Sequence, residues 1–146
     1  MASHHDVDKE LRDLLHAQNM RATAVRLAVL TSLHQNQGPM THEQIMKSLP
    51  SKQYDRATVW RLLSDLSDKG LLRRMDLGDR VWRYELVDAC RPIDAAHTHF
   101  MCGECGDVSC LPPLELATRG GQLPDVLNQA EYTIRIEGTC GDCLSA

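Results

Sequence analysis

Two Cys-x-x-Cys pairs, Cys102/Cys105 and Cys140/Cys143, are separated by 34 residues in the last third of the chain. A Cys-x-x-Cys turn presents two sulfurs to one ion, and the glycines beside each pair (Gly103, Gly106 and Gly141) permit the tight bend. Two such turns at this spacing read as a tetrahedral four-thiolate zinc site. Four thiolates leave no open position, so the expected role is structural, with zinc supplying on the order of 10 kcal/mol of folding energy. Replacing Cys102 or Cys143 is expected to unfold this part. The competing readings are two disulfides, or one redox pair beside an accidental one. The charged stretch Met1 to Glu10 lacks the apolar centre of a secretory signal, and no stretch reaches the length of a membrane span. The expectation is a cytoplasmic chain with reduced thiols.

Charge divides the 146 residues. Residues 1–86 hold 13 Lys/Arg against 11 Asp/Glu, a net of +2, whereas residues 87–146 hold 3 against 9, a net of −6. The boundaries expected are a first domain over 1–86, a hinge over 87–96 and a zinc-stapled domain over 97–146. A domain that binds nucleic acid need not be basic overall if its cations share one face. With one Phe, two Trp and three Tyr, stacking on single-stranded bases is not expected.

In the first domain, helical periodicity marks Val7–Gln18 and then Thr23 to about His34, where Gly38-Pro39 ends the run. Thr41 and Gln44 form a capping-box signature for a short helix stopped by Pro50. Asp55 suits the N-cap of the next helix, in which Val59, Leu62, Leu63 and Leu66 form one apolar stripe and Gly70 closes the end. Opposite that stripe lie Arg56, Ala57, Trp60, Arg61 and Ser64, a cationic face almost free of acid. Such a face suits a major groove, where arginine bridges guanine edges or grips phosphate. Leu71–Asp76 and Arg80–Leu86 flank a turn at Leu77-Gly78-Asp79, giving a hairpin wing with Arg73, Arg74, Arg80 and Arg83. A solvated amphipathic helix with a packing hairpin is the plainer reading of either element alone. Their order, with Arg21 ahead of the second helix and in reach of a minor groove, favours double-stranded DNA.

The motifs Asp55-Arg56-Ala57-Thr58-Val59-Trp60-Arg61, Gly70-Leu71, Gly78-Asp79, Arg83-Tyr84-Glu85-Leu86 and His97-Thr98-His99-Phe100-Met101-Cys102-Gly103-Glu104-Cys105-Gly106 together resemble the ferric uptake regulator family of metal-dependent transcription factors. The resemblance runs from about Arg21 to Cys143. It implies an α+β architecture: an N-terminal winged helix-turn-helix domain and a small C-terminal α/β dimerisation domain with a structural zinc. It also implies a homodimer reading a palindromic operator, the metal-loaded form repressing. The DNA-contacting positions it implies are Arg21, Arg56, Ala57, Thr58, Trp60 and Arg61. The family usually has tyrosine where this chain has Trp60, exchanging a phenol for an indole donor with a larger apolar face. Cys102, Cys105, Cys140 and Cys143 match the structural zinc ligands.

The resemblance further implies a regulatory metal held by Glu85, His97, His99 and a ligand at position 110, where the family has oxygen and this chain has Cys110. The family's ligand near the third helix falls on Pro39, with His42 three residues after it and His34 five before. Thiolate at Cys110, with Cys90 in the hinge, shifts preference from iron or manganese toward zinc and toward the zinc-uptake branch of the family. Cys110 as a small buried apolar residue, Cys90 as a plain linker residue and Glu85 as a solvated acid are the bland alternatives. A further metal site known in some members is not expected, because Tyr132 and Ala117 occupy its positions, with Glu115 nearby. Thr118–Pro124 breaks the helix expected in the dimerisation domain, while Thr98–Met101, Val108–Leu111 and Tyr132–Glu137 read as strands. Rival readings are an iron- or manganese-dependent regulator of iron uptake or peroxide stress, a repressor switched by a Cys90–Cys110 disulfide, and a zinc-stapled interaction module. No nucleophile with a paired base is evident and a four-thiolate zinc cannot activate water, so neither an enzyme nor a small-molecule substrate is expected.

Overall fold

A computed structural model describes residues 4–36, 38–50, 54–87, 98–112, 114, 117–122, 124–125, 127 and 134–146. The chain forms two compact units, Met1–Asp88 and Ala89–Ala146.

The first unit begins with α1 (His4–Ala17) and α2 (Ala24–Gln35). Asn19, at φ 56°, adopts the left-handed turn that ends α1, a conformation asparagine tolerates. A two-residue strand β1 (Met40–Thr41) leads into α3 (His42–Ser48), and α4 (Arg56–Asp68) follows. The Thr41–Gln44 capping box forms in full, Thr41 Oγ1 accepting from the Gln44 N–H and Gln44 Oε1 accepting from the Thr41 N–H. Asp55 caps α4 and Gly70, at φ 73°, closes it. Val59, Leu62, Leu63 and Leu66 are all buried, packing the expected stripe of α4 among Leu11, Leu15, Leu30, Ile45 and Tyr84. Strands β2 (Leu72–Asp76) and β3 (Trp82–Leu86) make an antiparallel hairpin, and β1 joins the other edge of β3.

The two faces of that hairpin differ. Leu72, Tyr84 and Leu86 turn into the core at its base, and the same face continues outward as Arg74, Asp76 and Trp82. On the opposite face Arg73 stands across from Glu85 and bonds it at 3.4 Å. Arg83, only 3% exposed, reaches Asp79 at 2.8 Å. Two of the four wing arginines are therefore engaged in ion pairs, Arg83 buried and Arg73 partly exposed, rather than free surface cations. Periodicity could not reveal this, because a buried arginine is acceptable only once its carboxylate is brought beside it.

The second unit is a three-stranded sheet in the order β5-β4-β6, with β4 (Thr98–Cys102) central, β5 (Val108–Cys110) antiparallel to it and β6 (Ile134–Gly138) parallel. A short helix, α5 (Gly141–Ser145), ends the chain. Gly138 packs against the Phe100 ring, where a Cβ would come within 3.0 Å of a ring carbon. Between β5 and β6, Gly120 adopts φ 84° in a turn at the segment expected to break a helix. Of the hinge expected over 87–96, residues 88–96 with Cys90 lie outside the described residues, as do His97, Glu115 and Tyr132. No helix among the described residues is long and apolar enough to cross a membrane.

Candidate metal centre and nucleic-acid interface

Parallel pairing of β4 with β6 brings the two Cys-x-x-Cys turns to the same end of the sheet. Cys102 stands opposite Gly138, two residues before Cys140, and the Gly103 N–H donates to the Gly138 carbonyl at 2.8 Å. The first turn closes through the Gly106 N–H on the Cys102 carbonyl, and the second opens α5. The four sulfurs lie within 4.8 Å of one another, and Cys105 Sγ is 3.8 Å from Cys140 Sγ. A tetrahedron with zinc–sulfur bonds near 2.3 Å has sulfur–sulfur edges of about 3.8 Å, whereas a disulfide requires about 2.05 Å. No disulfide joins the four cysteines, and their spacing fits a structural zinc.

The electrostatics agree with a cation-binding cage. The Cys102 thiol is drawn down to about 6 by the backbone N–H groups of Cys105 and Cys140, the latter at 3.3 Å from its sulfur. Cys143 is pushed far up by the neighbouring thiols of Cys140 and Cys105. One thiolate is welcome in this cluster and further negative charge is resisted, so holding four requires a compensating cation.

The regulatory ligands expected from sequence divide between the units. In the second, His99 on β4 is 2% exposed and stands directly across from Cys110 on β5, its ring within 4.8 Å of the Cys110 sulfur. An imidazole and a thiol at that separation can share a tetrahedral metal. In the first unit Glu85 lies on β3 beside Arg73. His34 is exposed in the last turn of α2, and Pro39 is fully buried. His42 turns toward α4 instead, its Nε2 3.1 Å from the Arg56 carbonyl oxygen and its ring edge-on to Trp60 with centroids 5.6 Å apart. That contact escaped sequence reasoning, which has no signal for a histidine one helix away from its aromatic partner.

The positions expected from sequence to meet DNA are all exposed in the first unit. Arg56, Ala57, Thr58, Trp60 and Arg61 are all exposed on α4, Trp60 by 47%, and Arg21 is exposed just ahead of α2. Asp55 accepts from both the Thr58 N–H at 2.9 Å and the Thr58 hydroxyl, and these bonds hold its carboxyl below the usual range. Thr58 therefore spends its hydroxyl proton on the cap. Glu43, which lines a groove with Arg56 and Trp60, bonds Lys47 at 3.0 Å, which lowers its carboxyl and compensates its charge.

The sequence model of the Ferric uptake regulator family matches residues 17–134. The chain is 25% identical over 143 residues to the ferric uptake regulation protein of Haemophilus ducreyi, covering 93% of each. It is 26% identical over 139 residues to the peroxide operon regulator of Bacillus subtilis, covering 92% of each. A solved zinc uptake regulator complexed with zinc and DNA shares its fold, with a TM-score of 0.59 at 17% identity, covering 99% of this chain and 97% of that one.

Proposed function

Because the chain belongs to the ferric uptake regulator family and is a metal-responsive regulator of transcription, we propose that it is a zinc-sensing repressor, active as a homodimer on a palindromic operator. The observation that carries zinc is the thiol of Cys110 facing the buried imidazole of His99 across two strands. Sulfur donors favour zinc over iron or manganese. In this reading Glu85, His97, His99 and Cys110, with Cys90, hold the sensed metal. Cys102, Cys105, Cys140 and Cys143 hold a permanent zinc. The domain reading is residues 1–86 for DNA, 87–96 as hinge and 97–146 for dimerisation. The sensory ligands come from both domains and the hinge, so occupancy favours one spacing of the two recognition helices. Arg21 and the face of Arg56, Ala57, Thr58, Trp60 and Arg61 read the operator. Half-sites about one helical turn apart follow if both helices enter successive major grooves.

The exposed β6, whose Ile136 is 39% accessible, supports a dimer built on that edge. The zinc- and DNA-bound structure of the same fold supports operator binding. Linkage sets a strict requirement: DNA raises metal affinity by the factor by which metal raises DNA affinity.

The test measures metal per monomer before and after mild chelation, with DNA binding followed as zinc, iron(II) or manganese(II) is returned. The expected result is one zinc that resists chelation and a second that restores binding and is lost in Cys110→Ser. Restoration by iron or manganese with Cys110 dispensable moves the chain to an iron or peroxide regulator, the functions its two curated relatives are named for.

A further inference from the structure

The side chain of Trp60 leaves α4 on the face opposite the buried stripe and is half exposed, beside a fully buried Val59. An indole so placed has several rotamers open to it and must settle into one before it can meet a base edge. Among the described residues, the ring that meets it is His42. The centroids lie 5.6 Å apart with the planes at 63°, the edge-on geometry that aromatic pairs prefer.

His42 is itself held from two directions. It is the first residue of α3, directly after Thr41, whose capping box with Gln44 closes at 2.8 and 3.2 Å and whose pairing with Arg83 ties β1 to β3. Ile45, fully buried, fastens the same turn to the core. At the far end of the side chain, Nε2 stands 3.1 Å from the Arg56 carbonyl oxygen. A carbonyl only accepts, so His42 donates from Nε2, and this bond orients the ring. Arg56 lies four residues before Trp60, about one turn of α4, so the imidazole is bonded to the turn whose indole it touches. Asp55 caps that turn through the Thr58 N–H. Backbone is fixed on both sides and the imidazole is fixed between them, which leaves the indole as the group that His42 orders.

We infer that His42 is a positioning residue for operator reading: its ring, bonded to the first turn of α4, holds the Trp60 indole in one orientation, so that the choice of bases under Trp60 depends on a residue of α3. The inference rests on the DNA-binding reading above and adds to it a residue that acts through another. Packing of α3 on α4 is the plainer role of such a contact, and it entails a loss of stability alone. Ordering the indole entails a loss of discrimination, because a free indole can turn to accommodate a wrong base, whereas a held one leaves that base with a clash or an unmet polar group.

The experiment uses the full-length metal-loaded protein and a duplex selected by the wild type from a randomised pool, with single-base variants of that duplex. His42→Ala is expected to lower discrimination about two- to tenfold at the positions where Trp60→Ala lowers it. The slope of log K against log salt is expected to stay the same, since no phosphate contact is removed. In a Trp60→Ala background, His42→Ala is expected to change discrimination no further. His42→Phe, which keeps a ring edge, is expected to retain most of the preference, and His42→Gln, which keeps the donor alone, to lose it. Thermal melts show whether each variant is folded, and the Phe and Gln pair carries the test should His42→Ala fail to fold. A readout free of DNA uses Trp82→Phe, which leaves Trp60 as the sole tryptophan of the chain's two. Adding His42→Ala to it is expected to widen the nanosecond local motion of Trp60 in time-resolved fluorescence anisotropy. Unchanged local motion overturns the inference, as does unchanged discrimination, a His42→Ala effect that persists without Trp60, or loss of the second metal. A wild type that selects no duplex, with the indole still freed by His42→Ala, overturns the operator role together with the DNA-binding reading and leaves His42 as a packing contact.

Discussion

At the scale of single residues, position in the sheet matters more than composition. Cys143 is a modestly exposed residue on a five-residue helix, yet it supplies a quarter of the sulfur cage. Cys143→Ser is expected to eliminate the chelator-resistant zinc and the ordered near-ultraviolet dichroism of the second unit, because the remaining burial there is slight. Metal analysis and circular dichroism on one sample check both. Trp60 makes the opposite case: it is half exposed and touches the edge of His42. Trp60→Tyr, which restores the residue usual in the family, is expected to change stability by no more than about 0.5 kcal/mol and to alter which bases are selected. Urea denaturation beside selection from a random pool separates the two effects.

At the scale of elements, α4 was fully legible in the sequence. Its cap, its stripe and its closing glycine obey rules that operate within a few residues, and all appear as expected. The same locality makes the capping box testable: Thr41→Ala is expected to cost about 1 kcal/mol of stability in the first unit. What was illegible depended on distant partners. Strand β1 exists only because Met40 and Thr41 meet Tyr84 and Arg83, and no pattern two residues long announces that. The wing arginines looked equivalent until strand pairing and the turn gave Arg73 and Arg83 carboxylate partners. Arg83 shows the consequence. Its guanidinium holds the Asp79 carboxyl below the ordinary range, chiefly through their hydrogen bond. A depressed folded value means that this pair stabilises the fold above the unfolded aspartate value near 3.9 and ceases to as pH falls through the lower folded one. Asp79→Asn is expected to lose about 1–2 kcal/mol at neutral pH, a difference from wild type that vanishes in strong acid. Denaturant titrations across that range measure it.

At the scale of the whole molecule, the cysteine spacing disclosed the four-sulfur cage and the helical period disclosed the exposed cationic face of α4, because both are written in residue type and interval. The sensory site was legible only through family resemblance. The ligands proposed for it are scattered over a strand of the first unit, the hinge and the second sheet, and no local rule joins them. His99 and Cys110 are brought into register by β4 and β5, whereas Cys90 and His97 fall outside the described residues.

The parallel return of β6 has its own consequence. Chain from Cys102 to Cys143 forms a ring whose clasp is the metal cluster, with both ends of the clasp at one end of the sheet. The connection between Cys110 and Ile134 belongs to that ring but not to its clasp. Once a ring is clasped, its circumference matters little: doubling a loop's length adds only about 0.6 kcal/mol to its closure. That connection is where such a protein can accept inserted sequence, gaining a new surface while its metal cage and its sheet remain as they are.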